Sequence, residues 1–407
     1  MRPSAIISRH RSGFPARSCL LSSVLCVLFF AGCSSVPHRT RVEPRGTELP
    51  ARLISNFFTV ESKWDDGKTY RFLIDTGSSA TLVSTDLARR FAFKPKKNAG
   101  AARVRVRSAN GGELELEPVT LRRVALGETS FEGVPALVFD FTDLSDQLGL
   151  RIDGIIGFPL FRDTLLTLDY PGRRLVLAPA TSGPAVPPKS APRIATLAFN
   201  HEHATPLIPV QMGTESFIVL IDSGSYGSLG LNPAGLHPRF ASGPRPGPLI
   251  SSLQGDRQQF AGRLNQNILI GTHTITQPIV EITDQLSSIG GELLQHFMVS
   301  FDQHRNLVTF VRDPDGAITM EPRRNPGLSF ARSPVYWRVL SVIPETPAAA
   351  LPVQAGDLCV RINGELVARW TFDRYAELVN TAALITFTFL RGAKEVDLEV
   401  PVAVLVP

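Results

Sequence analysis

Two blocks of sequence occur twice in this chain, and the repeat limits the possible folds more than any other feature. The block "FLIDTGSSATL" at residues 72–82 has a counterpart in "IVLIDSGSYGSLGL" at residues 218–231. A second block, at residues 155–177, returns at residues 288–310. Because unrelated segments rarely share two blocks in the same order, the chain contains two related folding units.

Spacing within the second block supports the same conclusion. Asp169 follows Gly157 by 12 residues, and Asp302 follows Gly290 by 12 residues. Both copies consist of short runs of Val, Leu, Ile and Phe, interrupted by Gly and Pro, which favours strands over helices. The sequence therefore predicts an all-β fold.

One hairpin can be predicted in detail from "RVRVRSANGGELELE" at residues 103–117. Arg and Val alternate before the glycines, and Glu and Leu alternate after them. A three-residue loop at residues 110–112 would place Arg107 opposite Glu115, so that opposite charges and apolar side chains each pair across the hairpin. We expect this hairpin to fold over Asp75 as a flap.

An aspartate at the end of each apolar strand requires a chemical reason. Burying an ionised carboxylate costs several kcal/mol unless hydrogen bonds or a neighbouring charge offset it. If the two units pack about a pseudo-two-fold axis, Asp75 and Asp222 can meet. Two carboxyls at close range cannot both ionise, so they would share a proton.

Residues 51–312 resemble a two-lobed, pepsin-like aspartic protease with compact lobes of retroviral-protease size. "DTGS" at 75–78 and "DSGS" at 222–225 resemble the two active-site motifs of that family, and the glycine blocks resemble the element that passes beneath each motif. The resemblance implies a catalytic pair, six supporting residues and two structural glycines of the psi element: Asp75 and Asp222; Thr76, Gly77, Ser78, Ser223, Gly224 and Ser225; Gly157 and Gly290.

Those residues imply a mechanism without a covalent intermediate, cofactor or metal. One ionised aspartate would take a proton from a water molecule, while the other, protonated, would bond the scissile carbonyl. Thr76 and Ser223 could lock the two turns together, and Ser78 and Ser225 could hold the outer carboxylate oxygens. Because one chain carries both motifs, the catalytic unit is expected to be monomeric.

The amino terminus is typical of an export signal. Four arginines and no acidic residue precede Cys33, with an apolar run that is too short to span a membrane. Ala31 and Gly32 before Cys33 resemble the lipobox of bacterial lipoproteins, which implies lipidation of Cys33, although a plain signal peptide is the alternative. We therefore expect a protein anchored by lipid on the periplasmic side of a bacterial envelope, and Ser34 favours the outer membrane.

Changes in amino-acid composition along the chain mark further segment boundaries. The predicted units are a signal peptide (1–32), a polar tether (33–50), an N-lobe (51–180), a proline-rich linker (181–192), a C-lobe (193–312) and a C-terminal domain (320–407). Without the four signal arginines the formal net charge falls from +5 to +1. This balance argues against a nucleic-acid partner.

The C-terminal domain resembles a PDZ domain, a small β-sandwich with two helices that binds extended peptides or chain ends. "PGLSF" at residues 326–330 stands at the position of the carboxylate-binding loop, "VIPETPAAALPV" resembles the first helix, and "TFDRYAELVN" would be the second, with Thr371 as its N-cap. A peptide would add as a strand beside this loop. The resemblance implies the following approximate groove residues: Gly327, Leu328, Ser329, Phe330, Phe372 and Tyr375. A degenerate domain that only packs on the lobes is the alternative.

These observations predict an exported aspartic endopeptidase that acts on polypeptides. The alternative is a non-catalytic envelope scaffold that binds peptides in the cleft and at the PDZ-like domain. Two other signals carry little weight. "HEH" at residues 201–203 lacks a third metal ligand, and Ser225 lacks the glycine two residues before it that a nucleophile elbow requires.

Overall fold

The computed structural model describes residues 38–94, 103–107, 112–183, 193–200, 204–252, 255–313 and 316–407. Strands account for 53% of the described residues and helices for 12%, consistent with the predicted all-β fold. Within these ranges no helix combines the length and apolar character needed to cross a membrane. The predicted export signal, Cys33 and the "HEH" stretch lie outside the described residues.

The first segment, up to residue 183, contains eleven described strands and two helices. They are β1 (Arg39–Arg41), β2 (Thr47–Ile54), β3 (Phe57–Lys63), β4 (Thr69–Asp75), β5 (Thr81–Val83), α1 (Thr85–Phe91), β6 (Val104–Arg107), β7 (Glu113–Leu126), β8 (Thr129–Val138), α2 (Thr142–Leu148), β9 (Gly154–Gly157), β10 (Thr164–Asp169) and β11 (Arg174–Pro179). A 3₁₀ helix, Phe158–Phe161, follows β9.

The second segment, residues 193–313, contains twelve described strands and one short helix. They are β12 (Arg193–Ala198), β13 (Leu207–Met212), β14 (Glu215–Ile221), β15 (Leu229–Leu231), β16 (Phe240–Ser252), β17 (Gly255–Leu264), β18 (Ile268–Ile270), β19 (His273–Ile275), β20 (Ile279–Ile282), β21 (Ser288–Ile289), α3 (Gly291–Leu294), β22 (Met298–Asp302) and β23 (Leu307–Arg312).

The C-terminal segment, from residue 316, contains eight strands and one α-helix. They are β24 (Arg323–Asn325), β25 (Leu328–Arg332), β26 (Trp337–Val342), β27 (Leu358–Ile362), β28 (Glu365–Leu366), α4 (Phe372–Thr381), β29 (Leu384–Arg391), β30 (Lys394–Pro401) and β31 (Ala403–Val406). Two 3₁₀ helices, Pro347–Ala350 and Val367–Arg369, lie in its connections. Its core is separate from the large core that the first two segments share.

Equivalent strands pair in the same way in the first two segments. In the first, β9 lies between β4, to which it is parallel, and β5, to which it is antiparallel. In the second, β21 lies in the same way between β14 and β15. β4 is a central strand in which Phe72, Leu73 and Ile74 are all fully buried, which explains its continuous apolar run.

One continuous sheet joins the two segments, and the sequence did not predict this connection. β10 pairs antiparallel with β22, from Leu165 opposite Asp302 to Asp169 opposite Met298. Midway along this pair, the buried hydroxyls of Thr167 and Ser300 are hydrogen-bonded at 2.7 Å. The six strands β12, β23, β22, β10, β11 and β2 therefore form a shared layer between the segments.

The repeated aspartates of the second block have a structural role. Asp169 ends β10 and accepts a hydrogen bond from the Gly172 amide at 2.8 Å. Asp302 ends β22 and accepts one from the Arg305 amide at 3.0 Å. Each carboxylate thus closes the turn into the next strand. This shared role accounts for the equal spacing of 12 residues from glycine to aspartate in both copies of the block.

The predicted tether is shorter than expected. Within residues 33–50, β1 pairs with β8, and residues 47–50 of β2 pair with β11. Thr47 is buried, and its hydroxyl lies 2.8 Å from that of Thr129. Backbone pairing does not need an apolar sequence, so this polar stretch gave no strand signal.

Two local predictions also change. The hairpin pairs Arg107 with Glu113 rather than Glu115, a shift of two residues that leaves Arg opposite Glu and the same side chains on each face. The first helix expected in the C-terminal domain is only the 3₁₀ helix Pro347–Ala350. The second helix forms as α4, and the Thr371 side chain caps it by accepting a bond from the Arg374 amide.

Candidate active site

Asp75 and Asp222 occupy equivalent positions at the ends of central strands. Asp75 is the last residue of β4 and lies opposite Gly157 of β9. Asp222 follows β14 directly, and its amide donates to the Ile289 carbonyl of β21 at 2.9 Å. We call residues 75–80 the first aspartate turn and residues 222–227 the second aspartate turn.

The two turns are joined by four reciprocal hydrogen bonds. The Thr76 amide donates to Ser223 Oγ at 2.9 Å, and the Ser223 amide donates to Thr76 Oγ1 at 3.0 Å. Thr76 Oγ1 in turn donates to the Ile221 carbonyl at 2.7 Å, and Ser223 Oγ to the Ile74 carbonyl at 2.8 Å. Each hydroxyl therefore accepts from the opposite turn and donates to the strand that leads into that turn, so neither turn can shift alone.

The glycines allow the turns to approach each other. A Cβ atom on Gly77 would lie 2.5 Å from Asp222 Oδ1, and one on Gly224 would overlap the Asp75 carboxyl. Each glycine thus packs against the carboxyl of the opposite turn. Any larger residue would push the two carboxyls apart.

Ser78 and Ser225 do not act as the sequence suggested. The Ser78 hydroxyl donates to the Ala80 carbonyl at 2.8 Å, and no described bond joins the Ser225 hydroxyl to a carboxylate. The carboxylates instead accept from backbone amides. Gly77 donates to Asp75 Oδ1 and Gly224 to Asp222 Oδ1, both at 2.9 Å. The amides of Ser78 and Ser225 donate to the Asp75 and Asp222 carbonyls at 3.3 and 3.2 Å, which closes the turns, and their proximity also lowers the carboxyl pKa values, so these serines contribute through the backbone.

Gly157 and Gly290 lie beneath the aspartate turns. A Cβ on Gly157 would overlap the Ala80 carbonyl, and one on Gly290 would overlap the Gly227 carbonyl. The Gly290 amide donates to the Ser228 carbonyl at 2.9 Å. These glycines let β9 and β21 support the turns at backbone distance.

Burial sets the electrostatics of the pair. Asp75 has no exposed surface and Asp222 is 4% exposed. Burial, together with the charge of Asp222, raises the pKa of Asp75 well above its ordinary value. Burial also raises the pKa of Asp222, to about 6, against the opposing hydrogen bonds from Gly224, Asp75 and Ser225. At mildly acidic pH the pair therefore retains a proton.

One oxygen of the pair has no N–H donor. Asp75 Oδ2 is buried without a hydrogen bond from any described donor, and the Asp222 carboxyl is near enough for its charge to raise the pKa of Asp75. Two ionised carboxylates cannot bond each other, whereas a carboxylate and a carboxylic acid can. The arrangement can therefore hold one proton between two acidic groups, as general acid–base catalysis on a bound water requires.

Tyr170 is a neighbour of the pair that the sequence did not predict. It is fully buried, packs edge-on against Phe58 with ring centroids 4.9 Å apart, and its hydroxyl has no described hydrogen-bond partner. Burial and the charges of Asp222 and Asp75 raise the pKa of Tyr170, so it remains neutral beneath the carboxyls. Its position next to Asp169 in the repeated block gave no functional signal.

In the C-terminal segment, the loop expected to bind a carboxylate is occupied internally. Asn325 Oδ1 accepts from the amides of Gly327 at 2.7 Å and Leu328 at 3.2 Å. Ser329 Oγ accepts from the Leu249 amide of β16 at 3.0 Å. A chain end would have to displace the Asn325 side chain to reach these amides.

Aromatic residues fill the space between β25 and α4. The Phe330 and Tyr375 rings lie 6.2 Å apart between centroids, and Phe372 lies 6.0 Å from the guanidinium of Arg332. Cys359 is a buried free thiol nearby, as expected for a small apolar residue. Among the described residues, no cluster of three or more His, Cys, Asp or Glu could hold a metal ion.

The raised pKa values predict a specific pH dependence of stability. Unfolded aspartate titrates near pH 4, so between about pH 4 and about pH 6 the folded state binds more protons than the unfolded chain. The free energy of unfolding should therefore fall as the pH rises through this window, by about 3 kcal/mol from Asp222 alone for a shift of about two pKa units, and Asp75 should add to this fall and extend it to higher pH.

Urea unfolding at a series of pH values tests this expectation. In the double variant Asp75→Asn/Asp222→Asn, the free energy of unfolding should no longer fall between about pH 4 and about pH 6. Asp65→Asn, which changes a carboxylate with a 71% exposed side chain, should retain it. Parallel stability profiles for the parent and the double variant would show that the carboxyls titrate normally.

Comparison with known proteins agrees with this geometry. A family model described as aspartyl protease matches residues 60–160. The matched range contains the first aspartate turn and Gly157, whereas Asp222 lies outside it. No curated protein matches the chain. At a coarse level the match supports a retropepsin-like aspartyl protease, and thus peptidase activity, in the part of the chain that carries Asp75.

Proposed function

We propose that this protein is an aspartic endopeptidase that uses Asp75 and Asp222 as a pair. The observation that carries the proposal is the convergence of two buried carboxyls, 147 positions apart in the chain, through the reciprocal bonds of Thr76 and Ser223. A buried pair of like charges destabilises the fold unless a proton is shared. Such a costly arrangement is typical of a functional site.

The proposed mechanism follows from the shared proton. The ionised carboxyl takes a proton from a water molecule held between the two, and this water attacks the scissile carbonyl carbon. The protonated carboxyl donates to the carbonyl oxygen as negative charge develops there. Proton transfer to the leaving amine then breaks the C–N bond. Amides from Gly77 and Gly224 hold Oδ1 of Asp75 and Oδ1 of Asp222 in place throughout.

We also propose that the first two segments are pseudo-symmetric lobes with a substrate cleft between them. The recurring arrangement of β4, β9 and β5 in β14, β21 and β15 supports this view. The β6–β7 hairpin is the candidate flap, with Val106 buried in a cluster that also contains Leu73 and Leu82. Such a cleft would accept an extended polypeptide.

Cleavage of an unfolded polypeptide mixture, followed by mass spectrometry from acid to neutral pH, tests the proposal. Asp75→Asn and Asp222→Asn should each lower the cleavage rate by about 100-fold or more, because acid–base catalysis contributes at least that factor. Asp65→Asn should cleave like the parent.

Two outcomes would contradict the endopeptidase proposal. Equal cleavage by the parent and both variants would mean that the pair is not used. Absence of cleavage by a folded parent at every pH would favour the non-catalytic scaffold, in which the cleft only binds peptides.

For the C-terminal segment we propose a PDZ-like module that binds an internal stretch of polypeptide rather than a chain end. Among the described strands β25 pairs with β26 alone, which supports addition of a strand from a partner beside the side-chain contacts that Ser329 and Arg332 make with the lobes. The Asn325 side chain already bonds the loop amides that a terminal carboxylate would use. Backbone pairing would then provide affinity without a free carboxylate.

Peptides with a free or an amidated C-terminus distinguish these binding modes. In fluorescence titrations, the parent should bind both forms with affinities within about twofold, since no charged contact is lost. Asn325→Ala, which frees the two amides, should increase affinity for the free carboxylate form alone. A parent that binds only free chain ends, or neither form, would contradict this proposal.

We further propose that the protein is exported and anchored by a lipid on Cys33, on the periplasmic side of a bacterial envelope, with the outer membrane favoured. The sequence around Cys33 supports this proposal. In cells given a labelled fatty acid, the parent should carry label and fractionate with membranes, and Cys33→Ser should lose both properties. Cys359→Ala should keep them, and an unlabelled parent would contradict anchoring.

A further inference from the structure

A partly buried ionic cluster lies behind the second aspartate turn. Arg323 Nη2 lies 2.7 Å from Glu292 Oε2 and 3.3 Å from Glu281 Oε1. The exposed fractions of these side chains are 30% for Arg323, 27% for Glu292 and 19% for Glu281. The arginine belongs to β24 of the C-terminal segment, whereas both glutamates belong to the second segment. The cation and the anions therefore come from different parts of the fold.

Both glutamates contact the second aspartate turn. A Cβ atom on Gly227 would lie 2.7 Å from Glu281 Oε2, so this carboxylate packs directly against the turn. The Glu292 amide donates to the Gly227 carbonyl at 3.1 Å. The position of the turn thus depends on the Glu281 side chain and on the backbone of Glu292, whose side chain Arg323 holds.

Backbone bonds extend this support to Asp222 itself. The neighbouring Gly291 amide donates to the Ser225 carbonyl at 2.7 Å, and the Asp222 amide donates to the Ile289 carbonyl at 2.9 Å. β21 and α3 therefore hold the turn at successive points from its first residue to its last. A displacement of α3 would move the Asp222 carboxyl relative to Asp75.

Arg323 offsets the repulsion between the two glutamates. Burial raises the pKa of Glu281, the Arg323 charge lowers it, and the Glu292 charge raises it again. Burial disfavours the charge of Arg323, but Glu292 and Glu281 outweigh this effect and raise its pKa. Without the arginine, two partly buried carboxylates would face each other uncompensated, which is strongly unfavourable.

The C-terminal segment also touches both lobes at other points. The Ser55 amide of the first segment donates to Asp373 Oδ1 at 2.8 Å, and Arg332 Nη1 donates to the Gln147 carbonyl at 2.6 Å. In the second segment, the Leu249 amide donates to Ser329 Oγ. The segment is therefore docked across the lobes, which fixes the position of β24 and hence of Arg323.

We propose that Arg323 is a positioning residue for the second aspartate turn, and that the C-terminal segment is for this reason a working part of the catalytic unit. Arg323 acts through Glu281 and Glu292 and does not contact the reacting atoms. The inference rests on the proposed function and adds to it the dependence of the aspartate pair on a distant segment of the chain.

Kinetics of the full chain provide the first test. Arg323→Met should lower kcat roughly 10- to 100-fold, the effect expected of a small misplacement of a catalytic group. KM should change by less than about threefold, because substrate contacts remain. Arg323→Lys, which keeps the charge but not the planar fork, should recover part of kcat. Adding Glu281→Gln to Arg323→Met should also recover part, since it removes an uncompensated charge.

Arg361→Met is the matched control. It removes an arginine of the same segment whose ion pair with Glu395, at 3.0 Å, lies within the C-terminal segment and away from the aspartate turns. Its kcat and KM should equal those of the parent. A loss of activity in Arg361→Met equal to that in Arg323→Met would indicate general destabilisation and overturn the inference.

Hydrogen exchange provides a readout that does not need turnover. Amides at residues 222–228 should exchange about tenfold faster in Arg323→Met than in the parent or Arg361→Met. An inactive parent that shows this acceleration would contradict the proposed function alone. A folded Arg323→Met with parental exchange in this stretch, and parental kcat where activity is measurable, would overturn the inference about Arg323.

Discussion

Two buried carboxyls held against each other are the constraint on which the rest of the structure depends. Asp75 and Asp222 would repel if both were ionised, and burial strengthens that repulsion because water cannot screen it. The hydroxyls of Thr76 and Ser223 oppose separation, since each makes two hydrogen bonds to the backbone of the opposite segment. A shared proton resolves the conflict. The same proton is what a pair of aspartates needs to act as acid and base together.

The surrounding fold supplies the stiffness that this pair requires. Each aspartate turn lies at the end of a central strand, and it is supported from below at backbone distance by Gly157 at the end of β9 or by Gly290 directly after β21. The pairing of β10 with β22 joins three strands of the second segment to the sheet of the first, so the relative position of the segments is set by backbone hydrogen bonds as well as by side-chain packing. Arg323 extends the same principle to the C-terminal segment, because its ion pairs reach the glutamates behind Asp222.

Much of the site could be predicted from the sequence because the repeat carries the positions of both aspartates, their hydroxyl neighbours and the supporting glycines. The roles of Ser78 and Ser225 could not, since the choice between a hydroxyl and an amide donor depends on local backbone geometry. The pairing of β10 with β22 could not be predicted either, because these strands are far apart in the sequence and other strands are similarly apolar. The hairpin register was ambiguous because shifts of two residues preserve both faces and still place Arg opposite Glu. Asn325 belongs to no motif that the sequence reveals. Only the fold shows that its side-chain oxygen accepts from an amide of the predicted carboxylate-binding loop.

The central claim is that Asp75 and Asp222 titrate as one pair. Carbon-13 NMR of aspartate-labelled protein, with Asp75→Asn and Asp222→Asn used to assign the two carboxyl resonances, measures this directly. The account predicts that both resonances shift together, with one proton retained by the pair at about pH 5, above the ordinary aspartate range. Two independent titrations, both complete below about pH 4, would show that the carboxyls do not share a proton and would contradict the account.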